Sequence, residues 1–250
     1  MDSNIRIETI YSNKKTRIGE LHFEAPYKVL PPFYMGEEAE IMILSASAGI
    51  LKGDKVKLDI ICKEDTKTKI TSQGYEKIYN TGNGSCEKEL NIKVLEDAQL
   101  KYLPQPTIFF ENSEYRATNV ICLHENSSIA FSDIFSVGRV YMGESYKMKS
   151  VRNTLSIYVS EKLVTRENMF IDPSKNNYEK LALLESYTHC GMMYLYGKFE
   201  KLPIREKINE ASMMNSDVEI GITKLNAGTI VRVLANSGEE IFDLFEMVVG

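Results

Sequence analysis

Lys55 to Ile61 reads KVKLDII, and this stretch decides the fold class. Val56, Leu58 and Ile60 fall on one side of an extended chain, the period-two pattern of a strand with one buried face. Glu89 to Leu95, ELNIKVL, repeats the pattern with Leu90, Ile92 and Val94. Leu100 and Tyr102 alternate with Gln99 and Lys101 until Pro104 stops the ladder. Ser128 to Phe135, Arg139 to Lys147 and Thr154 to Val159 continue it. Short alternating segments punctuated by Gly, Asn and Pro predict a mainly β chain, antiparallel or coiled, over residues 1–170. No fixed-length repeat is visible, so a regular solenoid with a consensus repeat is not expected.

Helical spacing begins after Asp172-Pro173. Tyr178, Leu181, Leu184, Tyr187, Cys190 or Gly191, and Tyr194 recur every three to four positions and predict an amphipathic helix, with Asn176 and Glu179 as its capping pair. A shorter helix is expected from Pro203, carrying Ile204, Ile208 and Ala211. Ile220 to Leu234 returns to strand around a turn at Asn226-Ala227-Gly228, and Gly238 to Val248 closes the chain as a helix burying Ile241, Leu244, Phe245 and Val248. The expected organisation is one domain over 1–250: β-rich 1–170, a helical insert about 173–215, then strands and a terminal helix over 218–250.

Composition excludes several classes. The chain has 250 residues, 43% hydrophobic and 26% charged, which is ordinary for a globular protein. Its net charge of −5, with no basic stripe, argues against a nucleic-acid partner. No apolar run reaches membrane-spanning length, and the start MDSNIRIETIYSNKK lacks a secretory pattern, so a cytoplasmic chain with no membrane partner is expected. Cys62, Cys86, Cys122 and Cys190 are scattered without a CxxC pair, so neither a redox motif nor a zinc site can be read. No GxSxG accompanies the three histidines, and Gly82-Asn83-Gly84-Ser85 lacks the Lys-Ser/Thr of a phosphate loop and reads as a hairpin turn. His189 and Cys190, adjacent in sequence, point about 100° apart on a helix and read as packing rather than a metal site.

The informative feature is one of phase. Asp133 shares its strand face with Ile129, Phe131 and Phe135, and Glu144 shares one with Val140, Met142 and Tyr146. Asp54 is in phase with Val56, and Glu76 with Ile70 and Ile78. Ionised carboxylates facing a core are costly unless paired, hydrated or metal-bound. The four acids therefore predict either a wet acidic interior path or an ion-pair network, with Arg139 and Lys77 as natural partners. The neighbouring Gly53, Gly74 and Gly143 supply the opposing explanation, because a bulge or turn there would turn the acids to solvent.

Five segments, taken in order, carry a resemblance. PPFY at 31–34, SASAGILKGDKVKLDI at 45–60, ITSQGYEKIYNT at 70–81, YLPQPTIFFENSEYR at 102–116 and SDIFSVGRVYMGE at 132–144 resemble the urease accessory protein family known as UreD or UreH. Beyond about residue 170 the likeness is looser: Thr165-Arg166-Glu167 only partly matches a family Glu/Asp-Arg pair, and no role is carried onto it. The resemblance implies strands wound in a helical arrangement with a few α-helices. It implies a scaffold with no catalytic residues and no tightly bound cofactor. Such a scaffold binds accessory protein F, and through it the GTPase G, and the assembly delivers nickel to apo-urease. An internal water-filled path is the route proposed for the family. It makes Asp54, Glu76, Asp133 and Glu144 the candidates for transient nickel contact, with no stable metal site. Gly53, Thr71, Lys77, Tyr79, Pro104, Gly138 and Arg139 would be architectural motif positions. Carboxylates and water hold nickel more weakly than imidazole or thiolate does, which suits handing an ion onward. Two rival readings use the same residues: an intracellular β-rich hydrolase with paired carboxylates, and a non-catalytic β binding module whose acids are only ion-paired.

Overall fold

The computed structural model describes residues 1–180, 183–212 and 218–250. The chain opens with an antiparallel hairpin, β1 (Asp2–Ser12) and β2 (Lys15–Phe23), then β3 (Tyr27–Val29), β4 (Phe33–Met35) and β5 (Glu38–Ser45). From there it winds between two sheets. β6 (Lys55–Cys62) lies in the first sheet, and β7 (Lys67–Ser72) with β8 (Glu76–Ile78) in the second. β9 (Cys86–Val94) returns to the first, and β10 (Gln99–Leu103) with β11 (Thr107–Phe109) to the second. β12 (Glu114–Leu123), β13 (Ser128–Ser136) and β14 (Ser150–Val159) complete the winding. β6, β9, β12 and β14 are mutually parallel, as are β5, β7, β10 and β13. The result is the coiled, solenoid-like β arrangement, closed at its edges by antiparallel strands.

The period-two stretches become the inner face of that coil. Ile7, Ile60, Ile92, Ile121 and Ile157 stand side by side across β1, β6, β9, β12 and β14, all essentially fully buried. Facing them, Ile41, Ile70, Tyr102 and Phe131 form a row across β5, β7, β10 and β13, with Tyr102 and Phe131 stacked at 5.5 Å. Stacked branched side chains give a sheet its cross-strand stabilisation and together make one core. The repeat is irregular: the register partners Leu58, Leu90, Asn119 and Leu155 are spaced 32, 29 and 36 positions apart. Connections of unequal length between sheets conceal the winding from any fixed-period search.

The last strands are β15 (Lys162–Ile171), β16 (His189–Tyr196), β17 (Glu219–Lys224) and β18 (Thr229–Ala235), with helices α1 (Ile204–Ser212) and α2 (Gly238–Val249). Sheet two is covered on its outer face as well where β10, β13, β16 and β18 lie under α2. Leu103, Ala130, Ile134, Met193 and Val231 on its outer face pack against Ile241, Leu244, Phe245 and Val248 of α2, as the α2 spacing predicts. Ser237 caps α2 by accepting the Glu240 amide at 3.3 Å. Leu225 and Gly228 close the turn between β17 and β18.

Three expectations are corrected. The helix predicted through Tyr178–Tyr194 is absent among the described residues of that stretch, and Leu181 and Ala182 lie outside them. His189–Tyr196 is instead strand β16, bonded to β13 on one side and β18 on the other. A strand buried on both faces reads as a continuous apolar run, here Met193, Tyr194 and Leu195, and three-to-four spacing along it is coincidental. The Asn176–Glu179 capping pair is a turn, in which the Glu179 amide donates to the Asn177 side chain at 2.9 Å. Among its described residues the insert at about 173–215 thus carries one α-helix, α1, which begins beside Pro203 and buries Ile204 and Ile208. The side chain of Ala211 lies outside the described residues.

Arg139–Lys147 is likewise a loop with a 3-10 turn at Val140–Met142, not a strand. Gly138 at φ +142°, Gly143 at +71° and Tyr146 at +55° break the extended chain there. Gly82–Ser85 connects β8 in the second sheet to β9 in the first, so it is an inter-sheet turn rather than a hairpin.

Candidate functional site

The inner surface of the first sheet changes character along the strands. Next to the isoleucine row lies Ile5, Leu58, Leu90, Asn119 and Leu155, and next to that Ser3, Val56, Lys88, Ala117 and Asn153. Branched apolar side chains close the gap between the sheets at one end, while the smaller and polar ones leave it open at the other. There the sheets enclose a cavity of about 470 Å³. Exposed Ser45, Ser47 and Ala48 on one side, and Gln73 and Gly74 on the other, surround its mouth. Asp133, Asn153 and Asn119 line its inner part.

The Pro104-Gln105-Pro106 stretch borders this cavity. β10 ends at Leu103, the strand resumes as β11 at Thr107, and the Gln105 amide between them donates to Ser72 Oγ at 2.9 Å. Two prolines that cannot donate to a ladder open the strand where the wall of the cavity needs a bend. Pro104, Gln105 and the buried Thr71 all line the space.

Two of the four predicted acids face the cavity. Asp133 lies on the inward face of β13, in the phase read from the sequence, and accepts a hydrogen bond from Asn153 Nδ2 of β14 in the opposite sheet. Asn119 donates to Asn153 Oδ1 at 2.7 Å and to the Thr154 carbonyl at 3.0 Å, so three polar side chains bridge the sheets. Burial pushes the Asp133 carboxyl above its ordinary range, against the pull of the Asn153 hydrogen bond and the Lys88 charge.

Glu76, at the start of β8, is held 2.7 Å from the ammonium of Lys88, and each side chain is 18% exposed. Burial pulls the Lys88 pKa down, but the Glu76 carboxylate and the hydroxyls of Tyr115, Tyr102 and Tyr27 outweigh it, leaving Lys88 firmly protonated. Burial likewise pushes the Tyr102 hydroxyl up to about 12.

The other two acids lie outside the cavity wall. Asp54 accepts the Leu51 amide at 2.8 Å and pairs with the Met1 amine at 2.7 Å. Gly53, at φ +79°, turns the chain just before it. Glu144 forms a two-pronged pair with Arg139, whose Nε donates at 2.7 Å, and this pairing draws the Glu144 pKa down. The Arg139 guanidinium sits 4.2 Å over the Phe110 ring, which packs on Tyr79 at 4.6 Å. Gly138 approaches the Glu144 carbonyl so closely that a β-carbon would collide with it. Tyr79, Gly138, Arg139 and the path candidate Glu144 thus meet in one latch outside the cavity. Lys77, expected to pair with an acid, lies exposed at the cavity rim, and Lys88 takes that part.

The sequence reading passed over Lys88 and Asn153. Lys88 stands two positions before Leu90, in phase with Leu90, Ile92 and Val94, so the same alternation that marks the strand places it inward. Asn153 immediately precedes the Thr154–Val159 stretch that was read as strand. Among the described residues, no three His, Cys, Asp or Glu side chains gather in a metal-binding group. No helix among them is long and apolar enough to cross a membrane.

The family profile described as UreD urease accessory protein matches residues 2–250. A urease accessory protein UreH from Helicobacter hepaticus is 34% identical over 229 residues, covering 92% of this chain and 89% of its own. A UreD from Acetivibrio thermocellus is 28% identical over 250 residues, covering 99% and 95%. A UreH from Helicobacter pylori is 32% identical over 251 residues, covering 99% and 93%.

Proposed function

The chain belongs to the UreD urease accessory protein family, which gives it a role in urease maturation, and on that premise we propose that it is a non-catalytic scaffold for nickel insertion into apo-urease. It binds accessory protein F and, through F, the GTPase G, and it passes nickel along the cavity between its sheets. The observation that supports this reading is the cavity itself: a space of about 470 Å³ between the sheets, bordered by Asp133 and Glu76 and their hydrogen-bond partners. Oxygen donors in small number bind a divalent first-row ion weakly, as transfer requires. The same geometry weighs against a two-carboxylate hydrolase. Glu76 is engaged by Lys88, so Asp133 lacks the second free carboxylate that acid–base hydrolysis of a glycoside uses.

The test is co-expression of urease with its accessory set, with and without this chain, measuring nickel per urease active site and urease activity. Omission is expected to leave urease assembled but nickel-poor and inactive. Urease that fills equally without the chain would refute the scaffold role. A purified chain that hydrolyses a glycoside or ester on its own, and loses that turnover in Asp133→Asn, would favour the enzyme reading.

A further inference from the structure

The cavity holds a positive charge where a cation is to pass. Lys88 projects from β9, a nine-residue strand with parallel partners β6 and β12 on its two sides, so its backbone is fixed. Glu76 lies on three-residue β8, near the mouth loop that carries Gln73 and Gly74. The Lys88 ammonium, at the end of a flexible four-carbon stem, reaches Glu76 at 2.7 Å inside the cavity. Tyr27, Tyr102 and Tyr115 surround it and offer hydroxyls but no further negative charge. A divalent cation at Glu76 would meet a like charge within a few ångströms, in a space where water screens poorly. Among the described residues that line the cavity, the one other carboxylate, Asp133, is already hydrogen-bonded to Asn153.

Resting on the transit reading above, we propose that Lys88 is the selectivity gate of this cavity: its ammonium occupies Glu76 and keeps the space closed to free divalent cations until it is displaced. The isolated chain then does not load nickel from solution. Occupancy requires the ammonium to swing off Glu76, leaving Glu76 and Asp133 as two oxygen donors.

Equilibrium dialysis of the purified full chain against Ni²⁺, and separately Mg²⁺, tests the gate. Lys88→Met removes the charge and keeps most of the stem, and it is expected to bind Ni²⁺ at least about tenfold more tightly than wild type. The double variant Glu76→Gln/Lys88→Met, which lacks the released carboxylate, is expected to return to the wild-type level. A folded Lys88→Met chain with no gain, or a double variant that keeps the gain, overturns the proposal.

If Lys88→Met does not fold, wild-type protein decides the matter through amine labelling read by mass spectrometry. Lys88, held on Glu76, should label far more slowly than exposed Lys77, and millimolar Ni²⁺ should leave both rates unchanged; Lys88 labelling as fast as Lys77, or rising with Ni²⁺, overturns the gate. Urease maturation separates the two readings. If Lys88→Met gains nickel affinity but urease fills equally with wild type, Lys88→Met and Asp133→Asn, the gate stands and the transit route falls.

Discussion

The Lys88–Glu76 pair makes a quantitative prediction about how wet the cavity is. The two groups are 2.7 Å apart and each is 18% exposed, between the surface and the buried regimes. Exposed pairs contribute roughly 0–1 kcal/mol, whereas removing one partner of a fully buried pair costs about 3–5 kcal/mol. Residual access to cavity water discounts the second figure, so Glu76→Gln and Lys88→Met should each destabilise by about 2 kcal/mol. Each single change strands one charge; the double change strands none and should cost only about 1 kcal/mol. The coupling in the double-mutant cycle is then about 3 kcal/mol. Urea unfolding at constant slope is the assay, with the shift in midpoint giving the free energy. In thermal scans each single variant should melt roughly 4–8 °C below wild type, and the double variant should recover most of that. A coupling below about 1 kcal/mol would mean that the pair behaves as a surface ion pair. It would refute the claim that the sheets confine these charges, and the gate would lose its electrostatic basis.

Three further outcomes follow from the packing and the charges. Burial holds the Asp133 carboxyl above its ordinary pKa, so the stabilisation associated with its protonated form is present at acid pH and lost as pH rises through the folded value. Asp133→Asn should therefore raise the melting temperature relative to wild type at pH 7, and that advantage should narrow towards the unfolded carboxyl pKa of about 3.9; equal offsets at pH 7 and pH 4 would contradict it. Phe245 of α2 is 1% exposed against the outer face of sheet two, so Phe245→Ala should cost about 3–5 kcal/mol in urea unfolding, and a cost under 1 kcal/mol would show that α2 is not docked. Gly138→Ala meets the Glu144 carbonyl at a φ that favours glycine and should cost about 1–3 kcal/mol, with faster proteolytic cleavage between residues 139 and 149; wild-type resistance would show that the Arg139–Glu144 latch does not depend on that turn.

The mainly β class, the inward rows of β6 and β9, the inward phase of Asp133 and the packed face of α2 were all legible in the chain, because each depends on side chains two or three to four positions apart. The family likeness was legible for a similar reason: its motifs mark strands and the turns between them, which the local sequence must encode. The stretch 189–196 misled because a strand covered on both faces loses its alternation and can mimic helical spacing. Arg139–Lys147 misled because two glycines override the apparent phase, and the same device, at Gly53 and Gly143, takes Asp54 and Glu144 away from the interior.

What the sequence by itself determined is which side chains lie together on a strand face and which residues must turn. Which faces meet was decided only by the winding of the coil. Lys88 and Glu76 are 12 positions apart in the chain yet come from different sheets, and Asp133 meets Asn153 across the gap between them. Pairing between sheets depends on the lengths and paths of the connections, and these follow no fixed period along the chain. The cavity, the ammonium of Lys88 within it and the partner of each acid are therefore properties of the folded coil.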